Sequence, residues 1–202
     1  MALLAERAIE DIDFNDISSR AGVPLADCRA AFGSVFEVLA AHYREVDRKV
    51  LAGAEPEMAE EPPRERLFDV LMRRLEVLAP HKAAVRSLMR SAYRNPAVAL
   101  ALNQLAVRSH QWMLTAAGID ASGTRGAIRA QGLACLFSRV IRVWLDDDDP
   151  GLARTLAELD RQLARGAWWG TLLDDLCRLV PRFPGTRYRR RERPDREEPI
   201  PV

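Results

Sequence analysis

The sequence is short of the residues that would mark it as secreted, membrane-bound or catalytic. Its three cysteines, Cys28, Cys135 and Cys177, are odd in number, far apart and set in apolar helical surroundings. That usage excludes a disulfide framework and suits free thiols in a reducing compartment. Its three histidines, His42, His81 and His110, are scattered singly. There is no HExxH, no CxxC, no glycine-rich phosphate loop and no serine in a nucleophile-elbow setting. The reading is therefore a non-enzyme, and no cofactor or metal is assigned. The longest apolar candidate, Ala127 to Leu145, is interrupted by Arg129, Arg139 and Arg142, and a membrane helix needs about 20 apolar residues. With no secretory signal pattern at the N-terminus, the expectation is a cytoplasmic protein with no membrane partner. Charge of one sign is missing too: 30 Lys and Arg oppose 29 Asp and Glu, so global electrostatics does not select nucleic acid or lipid.

What is present is helical periodicity. Nearly every stretch carries the 3.6-residue apolar repeat and none sustains a period of two, so the chain reads as all-α, with about nine to ten helices. Proline, glycine and cap residues place these near 2 to 11, 14 to 21, 25 to 32, 34 to 53, 63 to 79, 81 to 93, 96 to 117, 124 to 147, 151 to 165 and 168 to 180. Asn95 and Pro96 open one helix and Gly118 closes it; Asp149 with Pro150 and then Gly166 bracket another. The segment AEPEMAEEPP, from Ala54 to Pro63, reads as a connection. Beyond Pro181 the chain is too rich in proline and charge to bury a core, so residues 182 to 202 are expected to form a disordered basic tail.

The segment DFNDISSRAGVPLADCRAAFGSVFEVLAAHY, residues 13 to 43, has the form of a helix-turn-helix. Ile17 and Ala21 share one side of the first helix. Gly22 permits the tight turn, with Val23 closing the small core behind it. Pro24 suits the opening of the next helix, and Cys28 and Phe32 lie on its inner face.

This order, Asp-Ile, then Ala-Gly-Val, a short helix ending in Phe32, Ser34 and a long fourth helix, resembles the N-terminal domain of TetR-like transcriptional regulators. The resemblance covers Leu4 to Leu39. It implies a three-helix DNA-binding head at residues 1 to 43 and a helical ligand-binding and dimerisation body at 44 to 181. It further implies a homodimer whose third helices enter successive major grooves of operator DNA, and a small apolar ligand that relieves repression. Carried over by position, the DNA-facing residues are Pro24, Leu25, Ala26, Asp27, Arg29, Ala30 and Ser34. Several depart from the family's pattern: Asp27 stands where Thr or Ser would touch phosphate, and Val35 stands where a lysine meets the backbone. Arg29 is the obvious phosphate donor. Residues 1 to 48 hold five basic and nine acidic side chains, whereas a DNA-reading surface is normally basic. The family also has about ten more residues ahead of the position matching Leu3, so an upstream in-frame extension is expected to complete the first helix.

In the body, LFDVLMRRLEVLA and ALALNQLAVRSHQWMLTAA alternate broad apolar stripes with arginine; each stripe is first of all core. Polar or polarisable residues interrupt them, and Met72, Met89, Tyr93, His110, Trp112, Met113 and Gln131 are candidate pocket residues. Between Ala127 and Leu163 the sequence looks like the family's paired dimerisation helices. Small residues Ala127, Ala130 and Ala134 mark one helix, and Leu152, Leu156, Leu159 and Leu163 the next, as for a four-helix bundle between subunits. Internal packing accounts for the same stripe equally well. The four aspartates at 146 to 149 suit a cap at Asp149 better than a metal site. A second reading is a protein of the same fold that has lost DNA binding and serves as a lipid-binding or partner-binding accessory. VWLDDDDPGLARTLAELDRQL resembles the C-terminal part of the ubiquinone-biosynthesis lipid-binding protein.

Overall fold

A computed structural model describes residues 1–53 and 56–165. The expected helix at 168 to 180, the tail at 182 to 202, Gly166 and Cys177 lie outside the described residues. All regular structure among the described residues is helical. The α-helices are α1 (Ala2–Glu6), α2 (Phe14–Ala21), α3 (Leu25–Ala31), α4 (Val35–Ala52), α5 (Pro63–Leu78), α6 (Lys82–Arg94), α7 (Pro96–Ala116), α8 (Gly123–Leu145) and α9 (153–165).

Helix ends follow the side chains that satisfy them. Asp13 and Asp16 form a reciprocal capping box on α2, each carboxylate accepting the other's backbone N–H at 2.9 and 3.0 Å, which pairs two N–H groups that a helix start leaves bare. Gly22 ends α2 in the left-handed region at φ +66, a conformation glycine reaches without a Cβ clash. Ser34 caps α4 by accepting from Glu37 N–H, and Asn95 caps α7 by accepting from Ala97 and Val98. Asp149 accepts from Gly151 and Ala153 N–H at 3.3 and 3.1 Å as the chain enters α9.

The expected first helix, 2 to 11, is two pieces. It stops at Glu6, Arg7 and Ala8 are extended, and a 3-10 turn follows at Ile9–Asp11. On one continuous helix Leu4 and Ile9, five residues apart, would point about 140° away from each other at 3.6 residues per turn. The break turns Leu4, Ile9 and Ile12 together against Ala84 and Leu88 of α6 and Val98 of α7. Ser87 on α6 donates to the Arg7 carbonyl at 3.1 Å, satisfying the chain at the break.

The main core lies between α4, α5, α7, α8 and α9, where Val50, Leu71, Leu75, Met113, Val140, Trp144 and Leu159 are buried. The α2–α3 pair stands apart from it. From that pair only Ile17 of α2 packs against a buried cluster, the second one; α3 buries only Cys28, and Val23 and Leu25 are exposed. Val23 thus does not close a small core as its position suggested; its carbonyl accepts from Ser18 Oγ at 2.6 Å and its side chain meets solvent. The 43/44 boundary expected between head and body falls within α4, whose first turns follow the helix-turn-helix and whose later turns enter the main core.

Candidate functional site: a cavity reached by α4

Four side chains of α4, Leu39, His42, Tyr43 and Val46, fall at spacings of three, one and three, so they share one helical face. They line a cavity of about 270 Å³. Its other walls come from Arg74 and Leu78 of α5, Leu88 and Met89 of α6, Asn103 and His110 of α7, and Phe137 and Ile141 of α8. The lining is mostly apolar, with few polar groups, as in sites for small organic ligands.

Those polar groups are specific. Arg74, only 3 % exposed, donates to Asp47 Oδ1 at 2.6 Å and lies 5.8 Å from the Tyr43 ring centroid. Asp47, 8 % exposed, also accepts from Ser109 Oγ. One carboxylate on α4 therefore ties α5 and α7 to the helix that carries the head, and the guanidinium charge is neutralised where it borders the cavity. His110 is 2 % exposed and lies edge-to-face with Phe137, ring centroids 5.2 Å apart. Its Nδ1 sits 2.7 Å from the Ala106 carbonyl oxygen, while its Nε2 is buried without a partner. His42, edge-to-face with His81, likewise has a buried Nε2 without a partner. Burial pushes the His110 pKa down to about 3, with the Arg74 charge adding to it; burial and then His81 take His42 down to about 4. Both imidazoles are neutral at physiological pH.

Of the residues proposed for the pocket, the cavity brings together Met89 and His110. Gln131 lies one residue behind it, exchanging two amide hydrogen bonds of 2.9 and 3.0 Å with Asn103. Met113 is fully buried in the main core and Met72 packs against that core. Tyr93 and Trp112 lie outside this cavity: they are 69 % and 58 % exposed, and Tyr93 Oη accepts from Arg142 at 2.9 Å. His42, Tyr43 and Arg74 were missed, although the 39, 42, 43, 46 spacing was visible in the sequence.

On the helix-turn-helix, Pro24, Leu25, Ala26, Asp27, Arg29 and Ala30 are exposed along one short helix, and Ser34 is half-buried as the α4 cap. Three of the arginines near or in the head are paired: Arg7 with Asp16 at 3.0 Å, Arg20 with Glu6 at 2.7 Å, and Arg48 with Glu45 at 2.7 Å. Arg29 is the cation of α3.

In α8 and α9 the inward and outward faces differ from the expected assignment. Ala130, Ala134, Leu159 and Leu163 are buried within the chain itself. Leu152 and Leu156 are half-buried and Ala127 is exposed. Along α8 the outward stripe is Ile128, Gly132, Cys135 and Arg139, and along α9 the exposed side holds Ala153, Ala157 and Ala164 together with Arg154, Asp160, Arg161 and Arg165. Of the aspartates at 146 to 149, Asp146 pairs with Arg86 at 2.7 Å, and Asp147 turns inward to accept from the Thr155 hydroxyl and N–H at 2.6 and 2.9 Å. The Thr155 hydroxyl is the main cause holding the Asp147 carboxyl below its usual range.

Described residues whose regular structure is all helical, with a helix-turn-helix in the first 31 and a cavity walled by the five helices α4 to α8, belong to a recognisable structural class. No protein-family model and no curated protein sequence matches it. Solved structures do. A TetR transcriptional regulator from Nitrosomonas europaea ATCC 19718 superposes with a TM-score of 0.61 at 21% identity, over 83% of this chain and 92% of that one. One from Rhodococcus sp. RHA1 gives 0.58 at 20% identity, over 82% and 89%. A TetR-family regulator from Streptomyces coelicolor gives 0.52 at 17% identity, over 87% and 82%. The chain has the TetR-regulator fold.

Proposed function

We propose that the protein is a DNA-binding transcriptional regulator of the TetR type, a homodimer whose operator binding is released when a small apolar molecule enters the cavity. The observation that carries this reading is the path of α4: its N-terminal cap follows α3, and its next turns line the cavity. A ligand that fits the cavity in only one tilt of α4 shifts the equilibrium between two spacings of the paired α3 helices. The shared fold with three regulators supports the same reading.

Binding is tested by fluorescence anisotropy of labelled DNA from upstream of the gene against random DNA, at two salt concentrations. The expected result is tighter binding to the upstream duplex that weakens with salt. Arg29→Ala lowers affinity for both duplexes and reduces the salt slope by about one, as loss of one phosphate contact does. Equal binding to both duplexes, or none, overturns the regulator reading.

The dimer uses the outward stripe of α8 beside the alanine face of α9 as a four-helix bundle with its copy. A Cβ at Gly132 meets nothing within 4 Å, so an arginine there leaves the subunit's own packing intact and obstructs only a partner. Light scattering should return twice the subunit mass for the wild type and the single-subunit mass for Gly132→Arg. A Gly132→Arg protein that keeps the wild-type mass removes this face as the interface.

A further inference from the structure

The cavity has a chemical polarity that its apolar lining conceals. The Ala106 carbonyl oxygen can only accept a hydrogen bond, so the His110 Nδ1 beside it at 2.7 Å carries the proton. On a neutral ring, Nε2 is then a bare lone pair, buried and without a partner among the described residues, on a side chain that lines the cavity. A buried acceptor left unpaired is costly, and it is satisfied by a donor brought in by whatever fills the space. The Arg74 guanidinium on the same wall is already engaged by Asp47 at 2.6 Å, so it offers no free charge to an anion. Among the described residues no carboxylate lines the cavity, so none of them balances a cationic ligand.

We infer that the ligand is a neutral, mainly apolar molecule bearing a hydroxyl, phenolic or alcoholic, which donates its hydrogen bond to His110 Nε2. This rests on the ligand-responsive reading above and narrows the ligand to one class. A carboxylate is disfavoured at this position because it sets lone pair against lone pair at Nε2, and an ammonium is disfavoured because its charge is buried unpaired. A methyl ether of the same skeleton has the right shape and no donor, and it leaves Nε2 as it was.

That comparison is the experiment. Titration calorimetry of the full chain with 4-butylphenol, 4-butylanisole and 4-butylbenzoate should rank the phenol about tenfold or more ahead of the other two, the worth of one buried hydrogen bond. His110→Phe keeps an aromatic ring beside Phe137 and should bring phenol and ether to equal affinity. On the wild type, the ¹⁵N resonance of His110 Nε2 should move with the phenol and not with the ether, a readout that needs no variant. Equal binding of phenol and ether to the wild type, preference for the benzoate, or no binding of any of the three overturns the assignment. The operator-binding assay is run on the same preparation. Selective DNA binding without phenol preference discards this inference alone, and phenol preference without DNA binding discards the regulator reading alone.

Discussion

Asp47→Ala should cost about 3–5 kcal/mol of folding stability, the range for removing one partner of a buried ion pair. The substitution strands the Arg74 guanidinium in a site only 3 % exposed and also takes away the acceptor of the Ser109 hydroxyl. Native domains have about 5–15 kcal/mol in total, so much of the protein's margin goes with one carboxylate. Urea unfolding followed by circular dichroism should show the midpoint falling while the slope holds. The double variant Asp47→Ala with Arg74→Met should recover a large part of the loss, because the stranded charge is gone and an unbranched apolar chain fills its space. A loss for Asp47→Ala below about 1 kcal/mol would mean that water solvates Arg74 freely, since surface pairs are worth that little. The coupling also matters beyond stability, because Asp47 fastens the cavity-lining part of α4 to α5 and α7. Loosening it should weaken the effect of any ligand on DNA affinity more than it weakens DNA affinity itself.

The helices were legible in the sequence because their ends are set by local chemistry. Asn95 before Pro96, Gly118 after Ala117 and Asp149 before α9 each pair groups within a few residues, and such groups sit next to each other in the text. The break at Arg7 was not legible. It exists because Leu4, Ile9 and Ile12 meet α6, some 80 residues away, and no local signal at Arg7 announces that contact. The same reason decides which stripe residues reach the cavity. Met89 and His110 interrupt stripes that do face the cavity, whereas Trp112 and Tyr93 interrupt stripes at positions that face out. Periodicity gives the angular spacing of side chains on a helix but not the zero of the angle, which is set by where the neighbouring helices lie. In α9 the leucine spacing is that of a helix, and its direction is set by packing: Leu159 and Leu163 fill the chain's own core, while Ala153 and Ala157 lie on the exposed side.

Acid should destabilise the protein in a window where carboxylates are still ionised. An unfolded histidine takes up a proton near pH 6.5, while folded His110 and His42 resist it down to about 3 and about 4. Between those values the unfolded chain binds more protons than the folded one, so stability is complete above pH 6.5 and is lost as pH falls. The slope for His110 is at most about 1.4 kcal/mol per pH unit; His42, less deeply buried, contributes a smaller share. From pH 6.5 to 5 few carboxylates titrate in either state, so urea midpoints measured across that interval report the histidines. His110→Phe should be flatter there than the wild type and more stable than it at pH 5. Parallel wild-type and variant curves would show that His110 is not held neutral in the folded state, and would remove the bare Nε2 lone pair on which its hydrogen-bonding role depends. If the curves diverge as expected, saturating 4-butylphenol should raise the wild-type curve without changing its slope between pH 6.5 and 5, because folded His110, with its pKa held down at about 3, carries no proton on Nε2 there with or without the hydroxyl.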